Sequence, residues 1–225
     1  MKTSLCHQRE HGLTLVELCV LIACVAIFWL VFMSLVPTNH SKARALRIQC
    51  VNNLKQTGLA FSIWAGDHSD KYPMEISETN GGTMEFITGT NLFRHFQVMS
   101  NELSTPKVLL CPADDDSRTV VATNFGSDLF NSHISFFIGL DTSSTNAQGL
   151  LSGDRNLTNG TPIRNGILEV RTNQPPGWTA GTHVKVGNLL MADGSVQQVS
   201  QVGLRQAVEN AGPATNHLQM PVLTP

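Results

Sequence analysis

Charged residues are scarce in this chain, and neither sign predominates. They make up 14% of 225 residues, and 15 lysines and arginines against 17 aspartates and glutamates give a formal net charge of -2. A nucleic-acid-binding domain usually carries a clustered excess of lysine and arginine. The sequence therefore excludes a strongly basic chain, and we expect no nucleic-acid partner.

Signatures of catalysis are missing as well. The sequence contains no Gly-x-Ser-x-Gly elbow. Ser195 directly follows a predicted hairpin turn, whereas a nucleophile needs its base within hydrogen-bond reach. His183 stands at no metal-ligand spacing from a cysteine or a second histidine. We expect a chain that is not an enzyme, with His183 in a structural or partner-facing role.

Apolar residues, by contrast, form one long run near the N-terminus. From residue 13 to residue 36 the only charged side chain is Glu17. A helix rises about 1.5 Å per residue, so this run is long enough to cross a hydrocarbon layer of roughly 30 Å. Residues 1–12 are polar and lack the central apolar region of an ordinary signal peptide. The pattern predicts a membrane-spanning helix.

The border between these segments resembles the N-terminus of type IV prepilins and type II secretion pseudopilins. The matching features are Gly12 at the change from polar to apolar residues, the hydroxyl of Thr14, and Glu17 at a fixed offset. The resemblance implies that prepilin peptidase removes residues 1–12 by cleavage between Gly12 and Leu13. It also implies that the Leu13 amine is then methylated and that Glu17 is the fifth mature residue. Leu13 departs from the phenylalanine usual at the first mature position.

The same resemblance implies a location and a set of partners. The protein would be a single-pass protein of the bacterial inner membrane, with its N-terminus in the cytoplasm and its globular domain in the periplasm or outside the cell. It would assemble with other pilin or pseudopilin subunits and contact exported protein substrates. The basic residues after the helix, Lys42, Arg44 and Arg47, favour the opposite orientation by charge. The cytoplasmic N-terminus therefore depends on the resemblance alone.

Glu17 is a carboxylate at the edge of an apolar helix, where a charged side chain usually has a partner. Two interpretations are open. The carboxylate could reach the lipid headgroups as an interfacial residue. Alternatively, it could pair with the Leu13 amine of a neighbouring subunit, because an unpaired buried charge is strongly unfavourable. In that case Glu17 would set subunit register in assembly and not the fold of the monomer.

Two of the five cysteines, Cys50 and Cys111, lie beyond the apolar run. In an oxidising compartment they could form a disulfide, and closing a loop of this length contributes roughly 4 kcal/mol in the chain-entropy model. The alternative is two reduced, buried side chains. Both remain open, because the sequence does not give the separation of the two Cα atoms.

Residues 37–66 are predicted to continue as an amphipathic helix, with a kink or restart at Pro37. Apolar and small residues recur there at spacings of three and four, which places them on one helical stripe. The stripe consists of Ala43, Leu46, Cys50, Leu54, Gly58, Phe61 and Ala65. Ile48, Leu59 and Ile63 fall off the stripe, as scattered surface residues or as a second contact surface along a filament. The stripe needs another element to pack against, and we expect a sheet.

Short blocks along the chain resemble a group of prepilin-like proteins from planctomycete and verrucomicrobial bacteria. These blocks are residues 50–61 with Asp67 and residues 72–73, then residues 110–114 and 135–139, together with a C-terminal H-x9-DG signature formed by His183, Asp193 and Gly194. The resemblance indicates membership and implies no chemistry for the signature residues.

Residues 67–225 are predicted to form a β-rich globular domain with long loops. Apolar runs at residues 84–87 and 167–170 indicate short strands. Residues 188–199 predict a hairpin whose two-residue type I′ turn is Asp193-Gly194, which requires a positive φ at both residues.

A short helix is predicted after this hairpin. Ser200 is its expected N-cap and Gly212 its stop. The tail beyond Gly212 shows no periodicity.

Asp114, Asp115 and Asp116 form an acidic cluster that suggests a metal. Some secretion pseudopilins bind calcium in a loop, but this run lacks the alternating spacing of a calcium loop and lies outside the C-terminal loop that the resemblance implies. We favour a solvated acidic turn and expect no cofactor.

These features predict an α+β, pilin-like fold in which a long N-terminal transmembrane helix packs on a small antiparallel sheet. By resemblance, the chain is a structural subunit of a type II secretion pseudopilus or a type IV pilus-like filament. The main alternative is a single-pass anchored binding protein that does not polymerise, and a third is an ordinary secreted protein.

Overall fold

A computed structural model describes residues 14–35, 39–114, 116–117, 119–174 and 176–222. The chain divides into two compact units, Met1–Lys42 and Ala43–Pro225. The leader and the residues Gly12, Leu13, Pro37 and Asp115, to which the sequence attaches expectations, lie outside the described residues.

The first unit contains α1, Leu15–Leu35. Its 21 residues are long and apolar enough to cross a membrane, and none of them is buried against the described part of the chain. A helix that is apolar on every face is normally surrounded by lipid or by other apolar helices. The expected apolar helix at this place is therefore present.

The helices that follow begin with α2, Asn39–Asp67, most of which belongs to the second unit. The others are α3 (Phe93–Gln97), α4 (Ser100–Leu103) and α5 (Gln201–Asn210). Short 3₁₀ helices lie at Pro73–Glu75, Glu78–Asn80, Met84–Phe86, Pro106–Leu109 and Asn131–His133.

In the described part of the chain, eight strands build two sheets. They are β1 (Phe136–Gly139), β2 (Leu150–Asp154), β3 (Leu157–Thr158), β4 (Ile167–Arg171), β5 (Gly177–Trp178), β6 (Gly187–Met191), β7 (Val196–Val199) and β8 (Thr215–Gln219). The larger sheet has the order β4-β8-β1-β2-β6-β7, β3 pairs with β5, and every pair is antiparallel. The second unit is thus an α+β domain around a six-stranded antiparallel sheet.

The larger sheet lies between two hydrophobic clusters, because successive strand residues point to opposite faces. On one face Phe136 and Ile138 of β1 join the buried stripe of α2, including Leu54 and Phe61. On the other face Phe137 joins the buried residues of α5. The sheet that the α2 stripe was expected to pack against is therefore confirmed.

The residues of α2 that were predicted to lie off the buried stripe are exposed. Ile48, Leu59 and Ile63 are all exposed, whereas Cys50 and Leu54 on the stripe are fully buried. The stripe begins one turn later than predicted, since Ala43 is exposed.

Two segments differ from the sequence-based expectation. Residues 84–87 are not a strand but contain the 3₁₀ helix Met84–Phe86, because the loop bonds to itself: Thr83 N–H donates to Pro73 O at 2.7 Å and Met84 N–H to Ile76 O at 2.9 Å. The tail after Gly212, which shows no periodicity, contains β8, an interior strand between β4 and β1. The strand predicted at residues 167–170 is confirmed as β4.

The hairpin predicted at residues 188–199 is present as β6 and β7, but its turn is not type I′. Gly194 has a φ of 80°, whereas Asp193 is not among the residues with positive φ. Gly194 N–H donates to Met191 O at 3.0 Å, and Asp193 Oδ1 accepts the N–H of Ser195 at 2.8 Å. These bonds favour a three-residue loop with one left-handed glycine, the usual alternative to a two-residue turn.

The predicted caps of α5 are confirmed. The side chain of Ser200 accepts the N–H of Gly203 at the start of the helix, and Gly212, which follows the C-cap Ala211, has a φ of 99°. A glycine in this left-handed conformation is a common helix stop.

Candidate functional site

The N-terminus of α1 is closed by a reciprocal pair of side chains. Glu17 Oε2 accepts the backbone N–H of Thr14 at 2.8 Å and its hydroxyl at 2.9 Å, while Thr14 Oγ1 accepts the N–H of Glu17 at 3.3 Å. This capping box satisfies backbone donors that a helix start leaves unpaired. Leu13, the expected assembly partner of Glu17, lies outside the described residues.

Glu17 therefore has a function within its own helix. Its carboxylate lies where the helix dipole favours negative charge. The sequence-based hypothesis gave Glu17 a role in assembly and none in the monomer. The capping box adds a monomer role, and Thr14, noted only as a hydroxyl residue, is its partner.

A second group of residues is buried in the globular unit, around a disulfide between Cys50 and Cys111. The bond joins α2 to the residue that follows Leu110, directly beyond the 3₁₀ helix Pro106–Leu109. Both cysteines are fully buried. Of the two alternatives that the sequence left open, the bridge is the one present.

His183 packs on this disulfide. Its Nε2 lies 3.4 Å from Cys111 Sγ and 3.5 Å from Oδ2 of Asp154, and its side chain is 1% exposed. Arg47 Nη2 donates to the backbone carbonyl of His183 at 3.4 Å. Of the two expected roles for His183, structural or partner-facing, the structural one agrees with its buried side chain in contact with the disulfide.

Asp154 and Asn188, which the sequence analysis did not single out, complete the group. They lie side by side on β2 and β6, and Asp154 Oδ2 accepts the N–H of Asn188 at 2.7 Å and its Nδ2 at 2.9 Å. Burial raises the pKa of Asp154 to about 7 and lowers the pKa of His183 to about 4. The sequence signal that could have identified Asp154 is its position at the end of the apolar strand Leu150–Asp154.

Asp114 of the acidic cluster is not in a solvated turn, because its side chain is 3% exposed and paired. Its carboxylate accepts Arg155 Nε at 2.7 Å and Nη2 at 2.8 Å, and the hydroxyl of Ser135 at 2.7 Å. Asp116 Oδ2 lies 3.3 Å from Arg155 Nη2, and Asp115 lies outside the described residues. The expected solvated turn is wrong for Asp114, because Arg155 supplies the positive charge that allows burial.

The H-x9-DG signature does not form a single site. Strand β6 separates His183, which lies on the disulfide, from Asp193 and Gly194 in the hairpin loop. The hairpin loop instead contacts Tyr72, which belongs to the block at residues 72–73 that also carries the resemblance. The hydroxyl of Tyr72 donates to Ala192 O at 3.2 Å. Burial raises the pKa of Tyr72 to about 12, so this donor keeps its proton at physiological pH.

Comparisons of the chain with protein-family models, with curated proteins and with solved structures find no match.

The described residues contain two candidate sites of different chemistry. One is a capped carboxylate at the start of an apolar helix, and the other is a buried group of two sulfurs, a neutral imidazole and a carboxyl group.

Proposed function

We propose that this chain is a structural subunit that polymerises through α1 into a type II secretion pseudopilus or a type IV pilus-like filament. Prepilin peptidase removes residues 1–12, α1 holds the subunit in the bacterial inner membrane, and the subunit is a substrate of the peptidase and not an enzyme. The observation that carries the proposal is the position of Glu17 in the first turn of α1.

The apolar surface of α1 supports an environment of lipid and other helices. None of its 21 residues is buried against the described residues. Exposed apolar surface on this scale is stable only where water is excluded. Lipid covers such a helix in a single subunit, and neighbouring copies of α1 cover part of it in a filament.

The capping box supports a specific way for Glu17 to take part in assembly. Both bonds from Thr14 reach Oε2, so a cation from a neighbouring subunit can approach Oε1. After cleavage, the Leu13 amine is such a cation at the same depth in the membrane. Glu17 then has two separable functions, since the cap needs a hydrogen-bond acceptor and the pairing between subunits needs a charge.

Two variants separate these functions. Glu17→Gln keeps an acceptor that serves in capping boxes but removes the charge, and Thr14→Ala removes the hydroxyl but keeps the charge. The full-length chain is expressed in a bacterium that has prepilin peptidase and an assembly machinery, and α1 copies are crosslinked through Cys19 and Cys24, both exposed. We expect all three proteins to begin at Leu13, and Glu17→Gln alone to lose the crosslinks.

Each other outcome contradicts the proposal in a distinct way. Crosslinks of wild-type strength in Glu17→Gln would remove the charge-pairing role. A wild-type protein that begins at Leu13 but never crosslinks would be the anchored, non-polymerising binding protein. A chain that begins at Met1, or that has lost α1, would be no processed prepilin. A variant with Cys19 and Cys24 replaced by serine is the control for the crosslinking.

A further inference from the structure

The residues around the Cys50–Cys111 bridge have the composition of a metal site. Cys50, Cys111 and His183 each offer one donor atom within 4.8 Å of the other two, and all three residues are buried. Asp154 Oδ2 lies 3.5 Å from the same imidazole nitrogen that faces Cys111 Sγ. Two sulfurs, one imidazole nitrogen and one carboxylate oxygen are donors that zinc accepts in tetrahedral sites.

Two of the distances between donors agree with this geometry, whereas the two sulfurs are bonded to each other and must separate on reduction. Zinc binds sulfur at about 2.3 Å and nitrogen or oxygen at about 2.0–2.2 Å, so neighbouring corners of the tetrahedron lie about 3.3–3.8 Å apart. His183 Nε2 lies 3.4 Å from Cys111 Sγ and 3.5 Å from Asp154 Oδ2. The second distance is longer than the roughly 2.7–3.2 Å of a direct N–H···O hydrogen bond. The imidazole is therefore oriented toward both groups without being tightly bonded to the carboxyl group.

We propose that Cys50, Cys111, His183 and Asp154 bind one zinc-class divalent cation when the two cysteines are reduced. The disulfide and the metal site exclude each other, because a bonded sulfur is not a thiolate. A dithiol reductant gives two electrons and two protons to the bridge and is itself oxidised to a disulfide. The cation then displaces the two thiol protons, together with the proton of the Asp154 carboxyl group where it is neutral, as the bonds to both sulfurs and to Asp154 Oδ2 form.

The surroundings favour the bound cation. Burial keeps His183 neutral at physiological pH, which is the form that binds metals. The N–H and Nδ2 of Asn188 hold Asp154 Oδ2 in place, and such outer contacts fix ligand orientation in metal sites.

Cobalt(II) provides a direct test, since it takes the same tetrahedral donors and reports sulfur ligands by a charge-transfer band. The detergent-solubilised full-length chain is reduced under inert gas and titrated with cobalt and then with zinc. We expect one cobalt ion per chain, a sulfur-to-cobalt band that zinc abolishes, and no band in the oxidised protein. Zinc is also expected to raise the melting temperature of the reduced protein only.

The variants identify the ligands. His183→Gln and Asp154→Asn each remove one donor, and we expect both to weaken cobalt binding by more than about 100-fold, since loss of an outer-shell contact alone costs about 10–100-fold. His217→Gln makes the same change at a partly exposed histidine on β8 and is the matched control. It is expected to bind as the wild type does.

Three results would overturn the proposal. These are a reduced, folded protein without the sulfur band, cobalt binding of equal strength in His183→Gln, and equal binding by the oxidised chain. Reduction could also unfold the domain. In that case zinc is expected to restore the near-ultraviolet circular dichroism of the reduced wild type but not of His183→Gln, and failure to restore it counts against the site. The outcome does not depend on whether the chain forms filaments.

Discussion

Arg155 and Asp114 form a two-pronged ion pair beneath the surface of the globular unit. The guanidinium donates through Nε at 2.7 Å and through Nη2 at 2.8 Å, and the side chains are 13% and 3% exposed. Because a buried carboxylate is stable only with such partners, this pair explains how an acidic run can begin three residues after the buried Cys111.

Removing the Asp114 charge leaves the largely buried Arg155 guanidinium with the longer contact to Asp116, at 3.3 Å. We expect Asp114→Asn to lower the free energy of unfolding by about 3–5 kcal/mol, measured by urea denaturation of the detergent-solubilised chain. The exposed pair of Arg171 with Glu169, whose side chains are 49% and 50% exposed, is the control. Arg171→Met is expected to cost at most about 1 kcal/mol.

Asp114→Asn also tests the hypothesis that the acidic cluster binds calcium. Arg155 and Ser135 already bond the Asp114 carboxylate, so we expect the loss of stability to be equal in calcium and in chelator. A calcium-dependent rise in melting temperature that Asp114→Asn abolishes would show that the cluster binds the ion after all.

The hairpin loop gives a prediction that depends on backbone conformation alone. Gly194 has a φ of 80°, and a Cβ built there meets no atom within 4 Å. Gly194→Ala is therefore expected to cost about 1–2 kcal/mol through the left-handed backbone, and Gly194→Asn less, because asparagine tolerates this region. Thermal unfolding measures both.

Gly66 in α2 is the matched control for this substitution, since a Cβ there also meets nothing within 4 Å and no positive φ is present. Gly66→Ala is expected to stabilise the chain by about 0.5–1 kcal/mol. Equal effects of alanine at the two positions would contradict the assignment of the turn.

Local signals in the sequence were sufficient for part of this fold. The α2 stripe, the hairpin and the caps of α5 all follow from the spacing or chemistry of neighbouring residues. Strand β8 has no such signal: its sequence is polar at most positions, and it forms because β4 and β1 pair with it on both sides. Pairing of this kind decides strand formation more than intrinsic preference does.

The buried group around the disulfide could not be predicted from the sequence either, because it too depends on contacts between distant residues. His183 is 72 residues from Cys111 in the chain, so no ligand spacing along the sequence could connect them. Asp154 and Asn188 are neighbours only because β2 and β6 pair. The two cysteines could be proposed as a bridge, but the histidine and carboxyl group beside it depend on the register of the sheet.

The bridge itself is expected to be a major source of stability. It closes a loop with a sequence separation of 61 residues, which corresponds to about 4 kcal/mol in the chain-entropy model. We expect the double variant Cys50→Ala, Cys111→Ala to lose this amount in urea unfolding under oxidising conditions. Replacing Cys19 and Cys24, which are unbridged and exposed in α1, is the control and is expected to leave unfolding of the globular unit unchanged.

His95 is expected to make stability depend on pH. Its Nδ1 lies 2.6 Å from Thr83 Oγ1 and its Nε2 2.7 Å from Gln219 Oε1. Gln219 Nε2 donates to Phe86 O, so Oε1 faces the ring, and the network assigns the proton of His95 to Nε2. Burial lowers the pKa of His95 from 6.5 to about 4. The folded protein therefore holds the neutral ring, whereas the unfolded chain takes up a proton below about pH 6.5.

Stability from this group is complete above the unfolded pKa and is lost as the pH falls from about 6.5 to about 4, by up to about 3 kcal/mol. His95→Gln cannot take up the proton, so we expect its stability deficit relative to the wild type to shrink by that amount over this range in urea unfolding. His183 and Asp154 titrate in both proteins, and their contribution cancels in the difference. Thr83→Val, which keeps the buried imidazole, is expected to keep the pH trend. A deficit of His95→Gln that is constant between about pH 7 and about pH 4 would mean that the ring is protonated in the folded protein.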